Sequence, residues 1–497
     1  MGIKSTLSKP FASFVVRNQN SWTKNPVATQ QKVFQELLKG GLKTLFGKDH
    51  DFANIKTYQD FKERVGIRDY EGLKDYIELV KKGEKDILWK GLPVYFAKTS
   101  GTTSGVKYIP ISKESIPYHI NGARDALLNY VHETGNSTFL DDKLIFLSGS
   151  PEMTNKNGIH IGRLSGIVNH HVPGYLRRNQ LPSYSTNCIE DWEAKLDKVI
   201  EETLSQKMSL ISGIPPWVQM YFDKIQAKTG KQIKDVFPDF KLFAYGGVNF
   251  EPYRKKLFDS IGKRIDSIET YPASEGFIAF QDSQIQEGLL LLLNSGIFYE
   301  FIPTEEYFGE NPTRLDISQV KVGVNYALIL NTNAGLWGYS IGDTVKFVSL
   351  DPPRIVVTGR IKHFISAFGE HVIGEEVEKA MQQAIGSNPE VELTEFTVAP
   401  MVSPTTGLPY HEWLIEFSKA PEDIDKFTKD LDTALVSLNT YYNDLISGNI
   451  LKRLEIKILQ RDAFRNYMKS QGKLGGQNKV PRLSNDRKIA EDLLKFK

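Results

Sequence analysis

The chain has 497 residues, too many for one compact core, so at least two domains are expected. Hydrophobic residues make up 40% and charged residues 25% of the sequence, a balance typical of a globular protein. Because 62 Lys and Arg oppose 60 Asp and Glu, the net charge is only +2, and a nucleic acid partner, which requires a basic surface, is not expected. The single cysteine, Cys188, excludes an internal disulfide, and no Cys/His cluster has the spacing of a zinc site. These features favour a cytoplasmic protein.

The sequence predicts neither a membrane-spanning helix nor a secretory signal. The apolar run Leu289–Leu293 is far shorter than the roughly 20 residues of a spanning helix. It is bounded by Gly288 and Asn294, which favours a buried strand. The segment from Met1 to Trp22 carries charged residues and asparagines throughout and lacks an apolar signal core. We therefore expect no membrane partner.

The first two thirds of the chain predict helices followed by an α/β core. Residues up to about 85 are helical and charged in pattern, with an amphipathic stripe at Phe34, Leu37, Leu38 and Leu42. Short apolar runs then alternate with helical patterns, as expected for buried strands. The clearest runs are Leu144–Phe146, Leu210–Ile211, Leu242–Ala244 and Tyr326–Leu330. The sequence Asp351–Pro353 breaks this pattern and marks a candidate linker.

The last third predicts a smaller α+β unit. A helical stripe comprises Val377, Ala380, Met381 and Ala384. A strand follows, with apolar residues at every second position from Trp413 to Phe417. A long helix with a stripe from Ile424 to Leu438 is expected to end near Gly448, and a further strand lies within residues 454–458. Helices on one face of a short sheet would bury both stripes.

The segment from Thr99 to Lys107 is rich in Gly, Ser and Thr. Such residues let the backbone approach an anion closely, so that N–H groups and hydroxyls can surround phosphate oxygens. It is not a Walker A loop, because Gly101 and Gly105 are too close together and Lys107 does not directly follow a glycine. Taken alone, the segment fits an exposed loop equally well.

Four further segments carry groups suited to a nucleotide. Tyr271–Glu275 follows a predicted strand and offers an aromatic ring for a base and a carboxylate for Mg²⁺. Tyr339–Asp343 places a carboxylate just after a glycine, where it can accept hydrogen bonds from ribose hydroxyls. Thr358–Ile365 joins a short strand to the C-terminal unit, and Gly476–Arg482 contains a lysine close to glycines. Singly, each fits an ordinary turn, a packed tyrosine or a solvated charge.

In this order the five segments resemble the adenylate-forming (ANL) superfamily. The Gly-rich loop resembles its phosphate-binding signature, Tyr339–Asp343 its ribose-binding turn and Gly359–Val377 its hinge motif. Within the superfamily the chain is most similar to the Gretchen Hagen, or auxin-responsive promoter, family of acyl-acid amido synthetases. The similarity rests on the Gly-rich loop, the Tyr-x-x-Ser-Glu and Tyr-x-Ile-Gly-Asp segments and the late Lys-x-Pro-Arg, and it extends from about residue 30 to the C-terminus.

The resemblance implies an α/β fold with a large N-terminal adenylation domain of mixed sheets and helices, residues 1–358, holding the sites for ATP and the acyl acid. A small mobile α+β lid domain would cover residues 359–497. The implied reaction activates a carboxylic acid with ATP as an acyl adenylate, releases pyrophosphate and passes the acyl group to an amino acid amine with release of AMP. The implied partners are thus a small carboxylic acid and an amino acid, with ATP and Mg²⁺ as cofactors.

The resemblance also assigns nucleotide contacts by position. The phosphates would be held by Ser100, Gly101, Thr102 and Thr103, the adenine by Gly246, Gly247 and Tyr271, the α-phosphate by Ser274, and the ribose by Asp343 and Arg360.

Two catalytic roles and one hinge follow from the same resemblance. Glu275 would bind Mg²⁺, and Lys479 would neutralise charge as the carboxylate meets the α-phosphate. Lys362 occupies the place of the superfamily's hinge, although a solvated lysine explains it equally well.

Departures from the plant pattern indicate a divergent member of the family. Pro272 and Ala273 replace the second and third residues of Tyr-Ala-Ser-Ser-Glu, and Tyr108 stands where the plant loop ends in lysine. Ser340 stands where an arginine is common. A plant-hormone substrate is therefore not assumed.

The acyl-acid pocket is not identified by its residues. Pro215–Trp217 and Gly162–Val172 are candidate wall segments, whereas His170 and His171 are interpreted as surface or packing residues because adjacent side chains do not face one another.

Two other function classes stay open at this point. An acid–thiol ligase would form the same adenylate but transfer the acyl group to coenzyme A or a carrier thiol. A non-catalytic nucleotide-binding relative could keep the scaffold. The presence of Glu275, Asp343, Arg360 and Lys479 together favours catalysis.

Overall fold

The computed structural model describes residues 2–100, 106–247, 250–361, 364–365, 372–402, 404–447, 451–474, 479–484 and 486–496. Its α-helices are α1 (Ile3–Thr23), α2 (Pro26–Gly41), α3 (Leu45–Asp49), α4 (Tyr58–Arg64), α5 (Lys74–Lys81), α6 (Ile116–Thr134), α7 (Leu164–His170), α8 (Gly174–Arg177), α9 (Tyr184–Asn187), α10 (Trp192–Thr203), α11 (Pro215–Thr229), α12 (Ile233–Val236), α13 (Glu251–Ile261), α14 (Gly374–Ser387), α15 (Ile424–Leu438), α16 (Thr440–Ser447), α17 (Ala463–Ser470) and α18 (Lys488–Leu493).

The strands are β1 (Tyr95–Ser100), β2 (Val106–Ile111), β3 (Lys143–Phe146), β4 (Thr154–Lys156), β5 (Ile159–Gly162), β6 (Gln180–Leu181), β7 (Met208–Ser212), β8 (Leu242–Gly246), β9 (Asp266–Ala273), β10 (Gly276–Phe280), β11 (Leu289–Leu291), β12 (Ile297–Pro303), β13 (Asn325–Thr332), β14 (Tyr339–Leu350), β15 (Pro353–Arg360), β16 (Phe364–Ile365), β17 (Val372–Ile373), β18 (Glu392–Met401), β19 (Tyr410–Lys419) and β20 (Glu455–Ile458).

The chain divides into two compact units. The first contains Met1–Val248 and Lys263–Val356, and the second contains Asn249–Gly262 and Val357–Lys497. Mixed sheets and helices confirm the predicted α/β class. Among the described residues, no helix is long and apolar enough to cross a bilayer.

The large sheet of the first unit has a parallel half and an antiparallel half. Its 11 strands run in the order β12-β13-β14-β15-β11-β10-β9-β8-β7-β3-β6 among the described residues. Strands β6, β3, β7, β8 and β9 are parallel, so their carboxyl ends lie at one edge. From β10 onward the pairings are antiparallel. All four predicted apolar runs lie in strands of this sheet: β3, β7, β8 and β13.

Helix α2 packs three of the four predicted stripe residues, Phe34, Leu37 and Leu38, against the antiparallel half of the sheet, whereas Leu42 follows the helix and is exposed. Phe34 and Leu37 are buried, and the Phe34 ring lies 4.8 Å from that of Phe298 on β12. The buried Gln30 amide donates to the carbonyls of Leu293 at 2.6 Å and Ile297 at 2.9 Å. The side-chain oxygen Oε1 of Gln30 in turn accepts from the backbone N–H of Tyr299. Burial of the polar group is thereby compensated.

The predicted linker Asp351–Pro353 lies close to the division between the two units, which falls between Val356 and Val357, but its residues belong to the region of the large sheet. Asp351 and Pro352 form a turn that joins β14 to β15, which are neighbours in the large sheet. Asp and Pro interrupt helices and strands and favour turns. The sequence alone therefore does not distinguish a turn within a sheet from a boundary between domains.

In the second unit, α14 and α15 cover the three-stranded sheet β18-β19-β20, as predicted. Buried stripe residues such as Val377 and Leu431 belong to the same core as Trp413 and Ile415 of β19. The predicted long helix is wrong in one respect, because α15 ends at Leu438 and α16 follows. The reason is Asn439, whose backbone is extended and whose Oδ1 accepts from the N–H of Tyr442 at 2.8 Å.

Candidate functional site

The carboxyl ends of β8 and β9 bring several predicted residues to one edge of the sheet. Gly246 ends β8, and a side chain there would approach the carbonyl oxygen of Thr270 on β9 to 2.3 Å, so only glycine permits this close pairing. Gly247 follows with φ of 84°, a conformation that favours glycine. Close strand pairing thus accounts for the glycine at position 246, and backbone conformation accounts for the glycine at position 247. Gly247 is also exposed at the edge where ligands bind in open α/β sheets.

Ser274 and Glu275 form the two-residue turn of the hairpin between β9 and β10. Ala273 pairs with Gly276 and Pro272 with Phe277 across this hairpin. The departure from the plant pattern therefore leaves a regular tight turn. Ser274 is buried and Glu275 is half-buried. The surrounding residues therefore restrict the directions in which the Glu275 carboxylate can point.

Tyr271 and Asp343 meet in the first unit. The Tyr271 hydroxyl donates to Asp343 Oδ2 at 2.6 Å. The Tyr271 ring is only 8% exposed and belongs to the main core, so most of its surface is used in packing and a limited part is left for another contact. A charge-assisted bond of this kind fixes the orientation of the carboxylate.

Asp343 is presented by an irregular part of β14. Pairing with β13 shifts register between Ala327 and Ile329, and opposite this shift Gly342 has φ of 84°. A bulge with a left-handed glycine turns the next side chain to a new direction. The predicted glycine-then-carboxylate pattern thus has a definite structural cause.

The start of β14 is held by residues from elsewhere in the unit. The Ser340 N–H donates to the carbonyl of Arg68 at 2.8 Å, and the Arg68 N–H donates to the carbonyl of Gly338 at 2.9 Å. The hydroxyl of Tyr307 donates to Ser340 Oγ at 2.8 Å. Serine at the position where arginine is common is therefore a buried, hydrogen-bonded residue here.

A buried ion pair that is linked by hydrogen bonds to the start of β14 was not identified from the sequence. Glu300 is fully buried and lies 2.7 Å from Arg314. Glu300 also accepts from the Asn331 amide at 2.8 Å, and Asn331 accepts from the Gly338 N–H at 2.7 Å. The network thereby reaches the residue before Tyr339. A glutamate inside the otherwise apolar strand β12 was the available signal.

The Gly-rich loop connects β1 and β2. Ser100 ends β1, where its backbone pairs with Val106, and the predicted phosphate contacts Gly101, Thr102 and Thr103 lie outside the described residues. Lys362, the hinge candidate, also lies outside them.

Tyr108, which replaces the lysine of the plant loop, has a cation beside its ring. Lys81 Nζ lies 4.3 Å from the ring centroid and pairs with Glu78 at 2.6 Å. Its charge is therefore shared between an aromatic face and a carboxylate.

The second unit contains Arg360 and Lys479, both exposed. Lys479 begins the short described segment 479–484, in which the bridge between Leu483 and Val398 adds an edge to β18. The Arg482 carbonyl accepts from the Val398 N–H at 2.9 Å, and the Ser484 N–H donates to the Val398 carbonyl at 3.0 Å.

Arg482 anchors this segment through its side chain. The guanidinium donates to Glu378 at 3.0 Å, to the carbonyl of Phe396 at 3.1 Å, and to Glu395 and the hydroxyl of Tyr253. Burial opposes its charge, but the carboxylates of Glu395 and Glu378 and the Tyr253 hydroxyl outweigh this and hold the pKa of Arg482 well above its usual value. The Lys-x-Pro-Arg motif was the sequence signal, although it assigned no role to Arg482.

The candidate acyl-pocket segments are packed locally. Trp217, near the start of α11, lies with its ring 4.6 Å from that of Trp192. His171 Nε2 lies 2.9 Å from the Tyr95 hydroxyl, and His170 Nε2 lies 2.8 Å from the carbonyl of Pro151. The two imidazoles thus contact different partners, as expected for packing residues.

Comparison with known families gives matches along the chain. The GH3 family N-terminal domain matches residues 15–180, the GH3 family central domain residues 290–360 and the GH3 family C-terminal domain residues 375–488. Together these stretches cover more than half of the chain.

Matches to individual relatives cover most of this chain and most of each relative. The chain is 30% identical over 448 residues to the indole-3-acetic acid-amido synthetase GH3.2 of Arabidopsis thaliana, with 73% of this chain and 79% of that protein covered. It is 22% identical over 534 residues to the jasmonoyl-L-amino acid synthetase JAR4 of Nicotiana attenuata, with 93% and 91% covered.

Solved structures share the fold. GH3.15 acyl acid amido synthetase matches with a TM-score of 0.79 at 15% identity, covering 97% of this chain and 95% of that one. A 2-hydroxyisobutyryl-CoA ligase in the postadenylation state matches with a TM-score of 0.57 at 11% identity, covering 95% and 92%. The chain therefore belongs to the GH3, or Gretchen Hagen, family that its motifs resemble.

Proposed function

We propose that the protein is an ATP-dependent acyl-acid amido synthetase. The observation that carries this proposal is the 2.6 Å contact between Tyr271 and Asp343, which brings together the predicted adenine and ribose positions from two separate motifs. Family membership supports the same reaction, because the relatives named above are amido synthetases.

The first unit offers groups suited to the nucleotide. Gly247 is exposed at the carboxyl end of β8, and Ser274 and Glu275 follow β9 at the same edge. No group of three or more His, Cys, Asp or Glu in the described ranges is arranged to hold a metal. Mg²⁺ binds through one or two carboxylates together with phosphates and water. Glu275 would hold the ion, which when bound neutralises phosphate charge.

The chemistry proceeds in two displacements. A carboxylate oxygen of the acid attacks the α-phosphorus of ATP, forming a P–O bond as the bond to pyrophosphate breaks. The amine nitrogen of an amino acid then attacks the acyl carbon, the C–N bond forms, AMP leaves with the C–O electron pair, and the nitrogen loses a proton. Lys479 would neutralise charge in the first displacement, and Asp343 with Arg360 would hold the ribose.

The test is release of pyrophosphate from MgATP over a panel of carboxylic acids. Each acid is assayed with no acceptor, with pooled amino acids and with coenzyme A. Release that rises with an amino acid, together with an amide product in mass spectrometry, is the expected result. Release that rises with coenzyme A alone would instead identify an acid–thiol ligase. ATP binding without release across the panel would favour a non-catalytic protein.

A further inference from the structure

Helix α1 turns its large apolar side chains away from the protein. Ile3, Leu7, Phe11 and Phe14 are 80%, 64%, 42% and 58% exposed. Their spacings of four, four and three residues place them on one face of the helix. We call this set the α1 apolar face.

The opposite side of α1, which packs on the protein, is mostly small or polar. Ser5, Ala12 and Gln19 are buried there. Ser5 Oγ donates to Asp141 Oδ2 at 2.7 Å, and Gln19 Oε1 accepts from Asn129 at 3.0 Å. A surface helix ordinarily turns its apolar side to the core. Since α1 does the reverse, intramolecular packing does not explain its apolar face.

The charged side chains of the N-terminal segment that contains α1 are all basic. Residues 2–31 contain four basic side chains and no acidic one, although the whole chain has a net charge of only +2. The basic residues are Lys4, Lys9, Arg17 and Lys24, and the next one, Lys32, pairs with Glu36 at 4.0 Å. An excess of this kind, concentrated beside exposed apolar residues, complements an anionic surface.

The carboxylates that pack near α1 do not neutralise this excess of positive charge. Arg124 of the neighbouring helix α6 lies 5.6 Å from the Phe11 ring centroid and pairs with Asp125 at 2.7 Å. Asp141 accepts from the Gly2 N–H and from Ser5 at the beginning of the helix. Each nearby carboxylate is therefore already engaged by a donor of its own.

We propose that the α1 apolar face docks on an anionic membrane surface. Its four apolar side chains would enter the boundary between headgroups and acyl chains, while Lys4 and Arg17, which flank the face on its two sides, contact headgroups. A second copy of the chain is a less suitable occupant, because pairing two such faces would bring like charges together. The sequence-based expectation of no membrane partner considered spanning helices and signals, and a helix lying on the surface is neither.

The test is sedimentation of the full chain with lipid vesicles. Vesicles of phosphatidylcholine mixed with phosphatidylglycerol are compared with vesicles of phosphatidylcholine alone, at low and high salt. We expect binding to the anionic vesicles, at least about tenfold weaker binding to the neutral ones, and weakening by salt.

Two variants locate the surface. The double substitution Leu7→Gln with Phe14→Gln should reduce binding to anionic vesicles at least about tenfold, because it removes two of the four apolar contacts. The matched control, Ile285→Gln with Phe308→Gln, changes two exposed apolar residues outside α1 that are 86% and 59% exposed. Its binding should equal that of the unchanged chain, and because all four positions are exposed, both variants should unfold at the same temperature.

Three outcomes would overturn the proposal. One is equal sedimentation with both kinds of vesicle, and another is unchanged binding of the α1 variant. The third is a concentration-dependent dimer that the α1 variant abolishes, since the face would then be covered by a second copy. None of these measurements depends on amido synthetase activity.

Discussion

Tyr271 on β9 donates its hydroxyl to Asp343 on β14, although β10, β11 and β15 lie between these strands in the sheet. Four steps between neighbouring strands of a flat sheet would separate the two backbones by about 19 Å. The bond length of 2.6 Å therefore requires this part of the sheet to be strongly coiled. Coiling thus brings together two side chains that are 72 positions apart in the chain.

The first prediction follows from this bond. Tyr271→Phe should raise the KM for ATP about three- to tenfold with little change in kcat, because Asp343 loses the donor that orients it for the proposed ribose contact. Steady-state pyrophosphate release at varied ATP gives both constants. Tyr130→Phe is the matched control, since Tyr130 donates to Asp266 at 2.6 Å at the opposite end of β9. Equal changes in both variants would show that the Tyr271 effect is a general loss of stability.

Removal of the proposed charge-neutralising lysine gives a second prediction. Lys479→Ala should lower acid-dependent pyrophosphate release at least about a hundredfold, because the transition-state charge at the α-phosphate is less well stabilised. ATP binding measured by calorimetry should persist, since the other contacts are intact. Unchanged adenylation rates would remove Lys479 from the catalytic residues.

Arg482 should act through the position of Lys479. Arg482→Lys retains the charge but loses the planar fork that binds Glu378, Glu395 and Phe396 at once. We expect about a tenfold lower rate of adenylation and no further loss when the substitution is combined with Lys479→Ala.

A matched arginine tests whether this effect is specific. Arg487→Lys weakens a comparable pair with Glu412, at 2.6 Å in the same unit, and should leave adenylation close to normal. Additive effects of Arg482→Lys and Lys479→Ala would contradict a positioning role.

The buried pair Glu300–Arg314 should be important for stability. Glu300→Gln leaves the Arg314 cation buried without its counter-charge and should lower the free energy of unfolding by about 3–5 kcal/mol. Denaturant unfolding measures the loss. Glu71→Gln, which breaks the exposed pair with Lys74, should cost no more than about 1 kcal/mol. A loss equally small for Glu300→Gln would mean that this pair contributes little.

His119 should make the fold sensitive to acid. It is buried, its Nδ1 has no hydrogen-bond partner among the described residues, and burial lowers its pKa from 6.5 to about 4. Between these values the unfolded chain binds a proton that the folded chain does not. The free energy of unfolding therefore falls as pH decreases from 6.5 to 4 and levels off below.

The contribution of His119 over this interval is about 3 kcal/mol, and His119→Leu should lack it. Unfolding curves of the two proteins at a series of pH values give the difference directly. Parallel dependence on pH would exclude His119 as the source of the acid sensitivity.

Much of the local structure follows from short-range patterns in the sequence. The stripes of α2, α14 and α15 and the apolar runs of β3, β7, β8 and β13 were predicted because burial of one face imposes a period on the chain. The family was identified correctly because its motifs occur in a fixed order. One local error, at Asn439, arose where a residue type is compatible with two different backbone continuations, and for the same reason the predicted linker at Asp351–Pro353 contains a turn between two strands.

The site itself was only partly predictable. Sequence singled out Tyr271 and Asp343, and Glu300 and Arg482 gained significance only from their surroundings. Sequence by itself determined the chemical groups and the elements that carry them. Only the tertiary structure decided that Tyr271 of β9 reaches Asp343 of β14, that Glu300 pairs with Arg314, and that the apolar side of α1 faces outward. The physical reason is that sheet order, coiling and exposure depend on contacts between distant segments, which no local periodicity encodes.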